Sequence, residues 1–354
     1  MQLLFLTPYP KGEAASQRFR FEQYFSLLEE KGIKYDVKPF MSKRTWDILY
    51  SPGKLFYKVR GIAGGYARRK LLLFSMRKYD YVFIHREAKP FGFPWYEWII
   101  AKVLRKKIIY DFDDAIWLKN YSESNKKFSF LKRYSNAKKL CKWAYKNSCG
   151  NEYLAAYADE VSDNVVINPT TIDMENYHKA SVNHKKEKLI VGWTGSHSTV
   201  RYLKFLEPIL QELEQKFNFT FKVISDKEPD LNLKSLEFCK WNKETEITDL
   251  ADINIGVMPL TNDKWAKGKC GFKALQYMSL GSPALVSPVG VNTKIVDHNK
   301  NGFVCETPEQ WKESLTFLLS NPNKLQEFGE NAKNKIKESY SVKANSSNFL
   351  HLFS

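Results

Sequence analysis

The stretch KWAKGKCGFKALQYMSLGSPALVSPVGVN, residues 264–292, decides how the chain is read. It begins as a loop, continues as a helix and ends as a buried strand. Lys269 to Gly271 supply flexible backbone and positive charge. Phe272, Leu275, Tyr277 and Met278 recur at the spacing of one helix face. Gly281 is the stop after that helix, and Pro283 keeps it from continuing. Ala284–Val286 is a short apolar run of the kind a buried parallel strand uses, closed by Ser287, Pro288 and Gly290. A basic, glycine-containing loop feeding a helix N-terminus is physically an anion site, because free N–H groups and the helix dipole favour phosphate. Lys269 and Lys273 add full charges to it. The bland reading is an ordinary loop–helix–strand unit with solvated lysines, since most such units bind nothing.

Working outward, the same order of elements recurs. Leu189–Trp193 reads as a strand, followed by a GSHST turn, a helix from about Val200 to Lys216 and a strand at Phe219–Ser225. Gly195 allows close backbone approach, Ser196, Ser198 and Thr199 offer hydroxyls, and Arg201 brings a cation; all suit a diphosphate facing residues 264–292. Phe238–Trp241, Ile253–Met258 and Ala284–Val286 complete a second sheet. Gly302–Val304 and helices at Pro308–Leu319 and Asn323–Glu338 follow.

The first half starts with the strand Gln2–Thr7. Pro8, Pro10 and Gly12 make a loop, and Ser16 is expected to cap a helix that ends near Gly32. Strands follow at Tyr35–Pro39, Asp80–His85 and Lys107–Tyr110. This is the opening of a doubly wound sheet, whose ligands sit at the carboxyl ends of the strands. Gly12 and Arg18 are therefore candidates to hold an acceptor phosphate, with solvated helix arginines as the alternative. His85, Asp113 and Asp114 also fall at strand ends. The two aspartates either orient an acceptor hydroxyl and share its proton, or cap a helix at Ala115–Leu118. Helices are expected through Phe128–Lys146, a strand-to-helix turn at Ser148–Leu154, and a last strand at Asn164–Asn168. Tyr177–Lys188 is polar, basic and without periodicity, and reads as a linker.

Composition bounds the function. A chain of 354 residues fits two domains, here 1–176 and 189–338, with 339–354 as a tail. No apolar run approaches the roughly 20 residues that span a bilayer. The start, MQLLFLTPYP, reads as a first strand rather than a signal peptide. Five cysteines, an odd number without metal-ligand spacing, suggest reduced thiols in the cytoplasm. Net charge is +16, and residues 41–80 carry ten Lys and Arg against Asp47 and Asp80, half of that excess. Aromatic and aliphatic side chains lie between these cations, as in an interfacial helix on an anionic membrane surface. A solvated basic face is the alternative. Nucleic acid is the weaker partner, because no recognised binding motif accompanies the charge.

KCGFKALQYMSLGSPALVSPVGVN resembles the C-terminal donor segment of glycosyltransferase family 4, the group 1 sugar transferases of GT-B fold. LIVGWTGSHSTVRYL (189–203), DINIGVMPL (252–260), NGFVCETPEQW (301–311) and YDFDDAIWL (110–118) match in family order. The resemblance implies an α/β chain of two Rossmann-like domains facing across a cleft, with a C-terminal helix crossing back to the first. It implies transfer of a sugar from a nucleotide-diphosphate sugar to a glycan acceptor, and the basic stretch suggests that this acceptor is lipid-linked. It places the donor diphosphate on Gly195, Ser196, Arg201, Lys269 and Lys273, with Gln276 near the ribose, and the acceptor beside Arg18, His85, Asp113 and Asp114. Family members retain anomeric configuration, and no metal or other cofactor is expected. The family's paired glutamates, with seven residues between them, stand here as Gly268 and Gln276. A GT-B protein that binds nucleotide or glycan without turnover is the rival from another class.

Overall fold

The computed structural model describes residues 1–49, 51, 53–119 and 133–354. Two compact units divide the chain, Met1–Thr170 with Ser346–Ser354, and Thr171–Asn345. Each holds a parallel sheet of six strands.

In the first unit, β1 (Gln2–Thr7), β2 (Lys34–Pro39), β3 (Tyr81–His85), β4 (Lys107–Phe112), β5 (Lys146–Cys149) and β6 (Val165–Ile167) take the order β2-β1-β3-β4-β5-β6. Leu3 to Leu6 are fully buried, as a central parallel strand covered on both faces requires. The helix expected from Ser16 is broken into Ala15–Arg18, a 3-10 turn Glu22–Tyr24 and Phe25–Glu30, with Ala14 rather than Ser16 at the first cap. Phe19, Phe21 and Phe25 are all buried, and one straight helix would spread those three rings over more than one face.

The expected helix ends on Lys146 and the expected strand-to-helix turn opens on Ser148, where the structure has the strand β5. Its sequence, KNSC, lacks the apolar run that marks a strand, yet all four residues are buried. Asn147 donates to the carbonyl of Cys141, in the preceding helix, at 3.1 Å, and Ser148 donates to Asp111 on β4 at 2.7 Å. The helix expected through Phe128–Lys146 is Asn136–Trp143, and residues 128–132 lie outside the described residues. Asn151 caps the following helix, Glu152–Asp159, by accepting from the Leu154 N–H.

In the second unit, β7 (Leu189–Thr194), β8 (Phe219–Ser225), β9 (Leu236–Lys240), β10 (Ile255–Met258), β11 (Ala284–Val286) and β12 (Gly302–Val304) take the order β12-β11-β10-β7-β8-β9. The core gathers Val191, Trp193, Phe221, Val257, Leu285 and Trp311. Helix Phe272–Ser279 ends before Gly281, which takes a positive φ of 88°. Residues 177–188, expected as a linker, are fastened to this unit. Val182 N–H donates to the Leu280 carbonyl at 2.9 Å, His184 Nε2 bonds the Gly281 carbonyl at 2.8 Å, and Lys186 pairs with Asp252. The chain returns to the first unit from Ser346, seven residues later than the tail read from the sequence. Among the described residues no helix is long and apolar enough to cross a membrane.

Gly256 shows how closely helix Phe272–Ser279 lies on β10. A Cβ there would stand 2.2 Å from the Tyr277 ring. Gly256→Ala should therefore destabilise the second unit by about 1–3 kcal/mol. Urea unfolding followed by circular dichroism checks this, and an unchanged midpoint would contradict the packing described.

Candidate functional site

In both sheets the strand order reverses once, between β1 and β3 in the first unit and between β7 and β10 in the second. Ligands of open α/β sheets bind outside the carboxyl ends of strands at such a reversal.

At the reversal of the second unit, Gly195 follows β7 and the loop Gly268–Gly271 leads into helix Phe272–Ser279. A Cβ on Gly195 would lie 2.8 Å from Cε of Lys273, so the absence of a side chain is what lets the two segments meet. The Thr194 N–H donates to the Tyr277 hydroxyl at 2.8 Å, tying the end of β7 to the same helix. Lys273 rests its ammonium 5.4 Å from the centre of the Trp193 ring, and Lys269 lies 5.1 Å from that of Trp265. Gly271 precedes the helix with a φ of 68°, and a Cβ there would meet Ile295. Ser196 is exposed at the start of the short helix His197–Val200, its hydroxyl 2.8 Å from that of Ser198. Arg201 is exposed beside Tyr202 and near enough to Asp263 to lower that carboxyl's pKa, although burial and bonds from Thr261 act on it more strongly. Gly195, Ser196, Arg201, Lys269 and Lys273 thus lie on two neighbouring segments. Gln276, on the same helix as Lys273, is buried, and Gly268 is the buried C-cap of helix Lys264–Lys267.

At the reversal of the first unit the loop after β1 is held by a residue the sequence reading passed over. Buried Gln17 accepts from the Tyr9 N–H at 3.0 Å and donates to the Tyr9 carbonyl at 3.1 Å. The Gly12 N–H, expected to meet a phosphate, donates instead to Glu22 at 2.8 Å. Burial, the largest influence on Glu22, raises its pKa. Arg18 is half-buried with its guanidinium 4.9 Å from the Phe19 ring centre.

His85, Asp111 and Ser148 stand opposite one another on β3, β4 and β5, and make a polar row across the carboxyl edge of the sheet. Asp111 meets His85 Nδ1 at 2.7 Å, the Ser148 hydroxyl at 2.7 Å, and the guanidinium of Arg20. Arg20 also donates to the Asn168 carbonyl. All of these side chains are buried. Burial opposes ionisation of Asp111, but Arg20 and the bond from His85 outweigh it and hold the carboxyl far below the usual range. His85 is therefore a buried part of this row, and its Nε2 has no hydrogen-bond partner among the described residues.

Beside the row sits a further cation, Arg86. Arg86 leaves β3 with a φ of 58°, its N–H on the Asp111 carbonyl and its own carbonyl accepting from Tyr110. Its guanidinium meets Asp113 at 2.7 Å and Asp114 at 2.8 Å. Burial works against the charge of Arg86, and the two aspartates more than restore it. No helix forms at Ala115–Leu118, so Asp114 is not its cap; the chain turns there through a Leu118 N–H bond to the Ala115 carbonyl. Among the described residues, no three His, Cys, Asp or Glu side chains are grouped as metal ligands.

Residues 226–335 match the family model described as glycosyl transferases group 1. That segment contains Lys269 and Lys273, and it makes the chain an enzyme of glycosyltransferase type. Solved structures of similar fold include sucrose-phosphate synthase from Thermosynechococcus elongatus, 13% identical with a TM-score of 0.69 over 100% of this chain and 98% of that one. HepE from Anabaena in complex with UDP-glucose is 13% identical, with a TM-score of 0.62 over 99% of each chain. The catalytic domain of starch synthase IV from Arabidopsis thaliana, bound to ADP and acarbose, is 10% identical with a TM-score of 0.68 over 99% of this chain and 98% of that one. Together they give the chain the GT-B fold. Comparison with curated proteins gave no match.

The buried row yields a measurable expectation. Asp111→Asn leaves Arg20 buried beside a neutral amide and should cost about 3–5 kcal/mol near neutral pH. A carboxyl held below its unfolded value contributes stability above that value, about pH 4, and loses it as the pH falls further. The gap between wild type and variant should thus narrow in acid, which denaturant titrations at neutral pH and near pH 3 would show.

Proposed function

We propose that this chain moves a sugar from a nucleotide-diphosphate sugar to a glycan acceptor, with retention of anomeric configuration and without a metal. The observation that carries the reading is the approach of Gly195 to Lys273 at the strand reversal of the second unit, within and beside the segment that matches group 1 transferases. The leaving nucleoside diphosphate gains negative charge in the transition state, and Lys273, Lys269 and Arg201 are the cations set to stabilise it. Neighbours of the same fold hold UDP-glucose or ADP, which supports a nucleotide as the ligand. The first unit presents the acceptor. There Asp113 and Asp114 keep Arg86 in place and order a hydroxyl, Arg18 and the Gly12 loop border the same strand reversal, and His85 positions the row beneath.

The acceptor is lipid-linked, as in assembly of surface polysaccharide, and the enzyme works on the cytoplasmic face of a membrane. Helix Leu55–Leu72 supports this. Its outward side shows Phe56 at 70% exposure and Val59 at 57%, then Leu71 at 68%, and Phe74 just beyond at 87%. These follow helical spacing, and Arg60, Arg68, Lys70 and Arg77 are exposed around them. Buried Arg69 anchors the opposite side by donating to the carbonyls of Thr7, Lys38 and Ala88. A nucleotide-binding partner without turnover is the second reading, favoured by Gly268 and buried Gln276; it implies binding without transfer.

A thermal-shift panel of UDP, GDP, ADP and CMP with their sugars tests the donor reading. One diphosphate should raise the melting temperature of wild type and leave Lys273→Ala unmoved. Lys273→Ala should also lower turnover about a hundredfold or more. Silence across the panel from folded protein would overturn the donor site. For the membrane face, wild type should sediment with phosphatidylglycerol vesicles and be released by salt, whereas Phe56→Asp with Phe74→Asp should stay in the supernatant.

A further inference from the structure

The exits of β7 and β8 stay paired beyond the sheet. Thr194 stands opposite Ile224, the Gly195 N–H donates to the Ile224 carbonyl at 3.0 Å, and the His197 N–H donates to Oδ1 of Asp226 at 2.6 Å. The other carboxylate oxygen, Oδ2, sits on Nδ1 of the His197 ring. One carboxylate thus holds both the backbone and the ring of a single histidine. Burial opposes ionisation of Asp226, and the two bonds from His197 outweigh it, keeping the carboxyl below its usual value.

Both side chains are about half exposed, at 51% and 49%. An ion pair at that exposure adds little to stability. What it does fix is orientation: with Nδ1 on the carboxylate, Nε2 is the ring atom left for a ligand. The loop carrying this ring is the one whose Gly195 meets Lys273, two residues earlier. Ser196 and Ser198 flank the ring with exposed hydroxyls.

We propose that His197, oriented by Asp226, is a further donor-positioning residue that bonds a phosphate oxygen of the nucleotide diphosphate through Nε2. This rests on the donor reading given above. His197 supplies the contact, and Asp226 acts through it. Removing either should therefore weaken the same interaction, and removing both should cost no more than removing His197.

Calorimetric titration of the full-length chain with UDP, GDP and ADP, each beside its nucleoside, tests this. The diphosphate that binds wild type should lose about tenfold in affinity for His197→Ala, the size expected of one charged hydrogen bond. Affinity for the nucleoside should be unchanged. Asp226→Asn should weaken the diphosphate in the same sense, and the double variant should match His197→Ala rather than add to it. Should the alanine variant melt low, His197→Leu of similar volume carries the same expectation. Wild-type affinity for the diphosphate in either folded variant would overturn the proposal and leave the pair a loop clasp. Equal losses for nucleoside and diphosphate would overturn it as well. Binding by wild type with no loss in the variants refutes only this role for His197, whereas no diphosphate binding by wild type refutes the donor reading itself.

Discussion

β7 pairs with β10 only at Val191 and Gly192, so on that side the Thr194 N–H lies beyond the ladder, and a buried donor without a partner is costly. The Tyr277 hydroxyl takes it at 2.8 Å. Much of the second unit's site follows from that bond. It fixes helix Phe272–Ser279 over the end of β7, and it demands glycine at 256, where the Tyr277 ring leaves no room for a side chain. It also brings Lys273 against Gly195. The tyrosine is fully buried, and burial raises its pKa well above the usual range, so it stays a neutral hydroxyl suited to accept from a backbone N–H. The proposed diphosphate site thus rests on an interaction that touches no ligand.

The first unit solves a similar problem with charge. Four strand ends carry His85, Asp111, Ser148 and Asn168, and Arg20 reaches from a separate turn to bond the last three. Such a network is safe only when every strong group is met, because a lone buried charge is far more costly than a missing apolar contact. Its rigidity is passed upward: the Asp111 carbonyl holds the Arg86 N–H, and Arg86 gathers Asp113 and Asp114. The acidic pair Asp113 and Asp114 supplies the counter-charge of one arginine.

The strands were legible because central parallel strands are continuous apolar runs, as in Leu3–Leu6 or Ala284–Val286, and these need no knowledge of distant residues. KNSC of β5 was not, since its burial is justified by Asp111, Cys141 and Asn168, each set by the fold. The pairing of Arg20 with Asp111 was hidden for the same reason, at a separation of 91 residues. Gly281 and the cap at Asn151 could be read from local chemistry. The helix broken between Ala15 and Glu30 could not, because the side each phenylalanine faces depends on what packs against it. In the second unit, charge and glycine singled out two segments that do meet, at Gly195 and Lys273, while the burial of Gln276 and the clasp of Asp226 on His197 needed three dimensions.

The central claim is that the diphosphate of a nucleotide sugar rests between the loop after β7 and helix Phe272–Ser279. The most direct measurement is a crystal structure of the chain grown with the nucleoside diphosphate that stabilises it. The expected result is phosphate oxygens within about 3 Å of the Lys273 ammonium, beside Gly195. A nucleotide seated away from Lys273, or bound on the first unit, would contradict it.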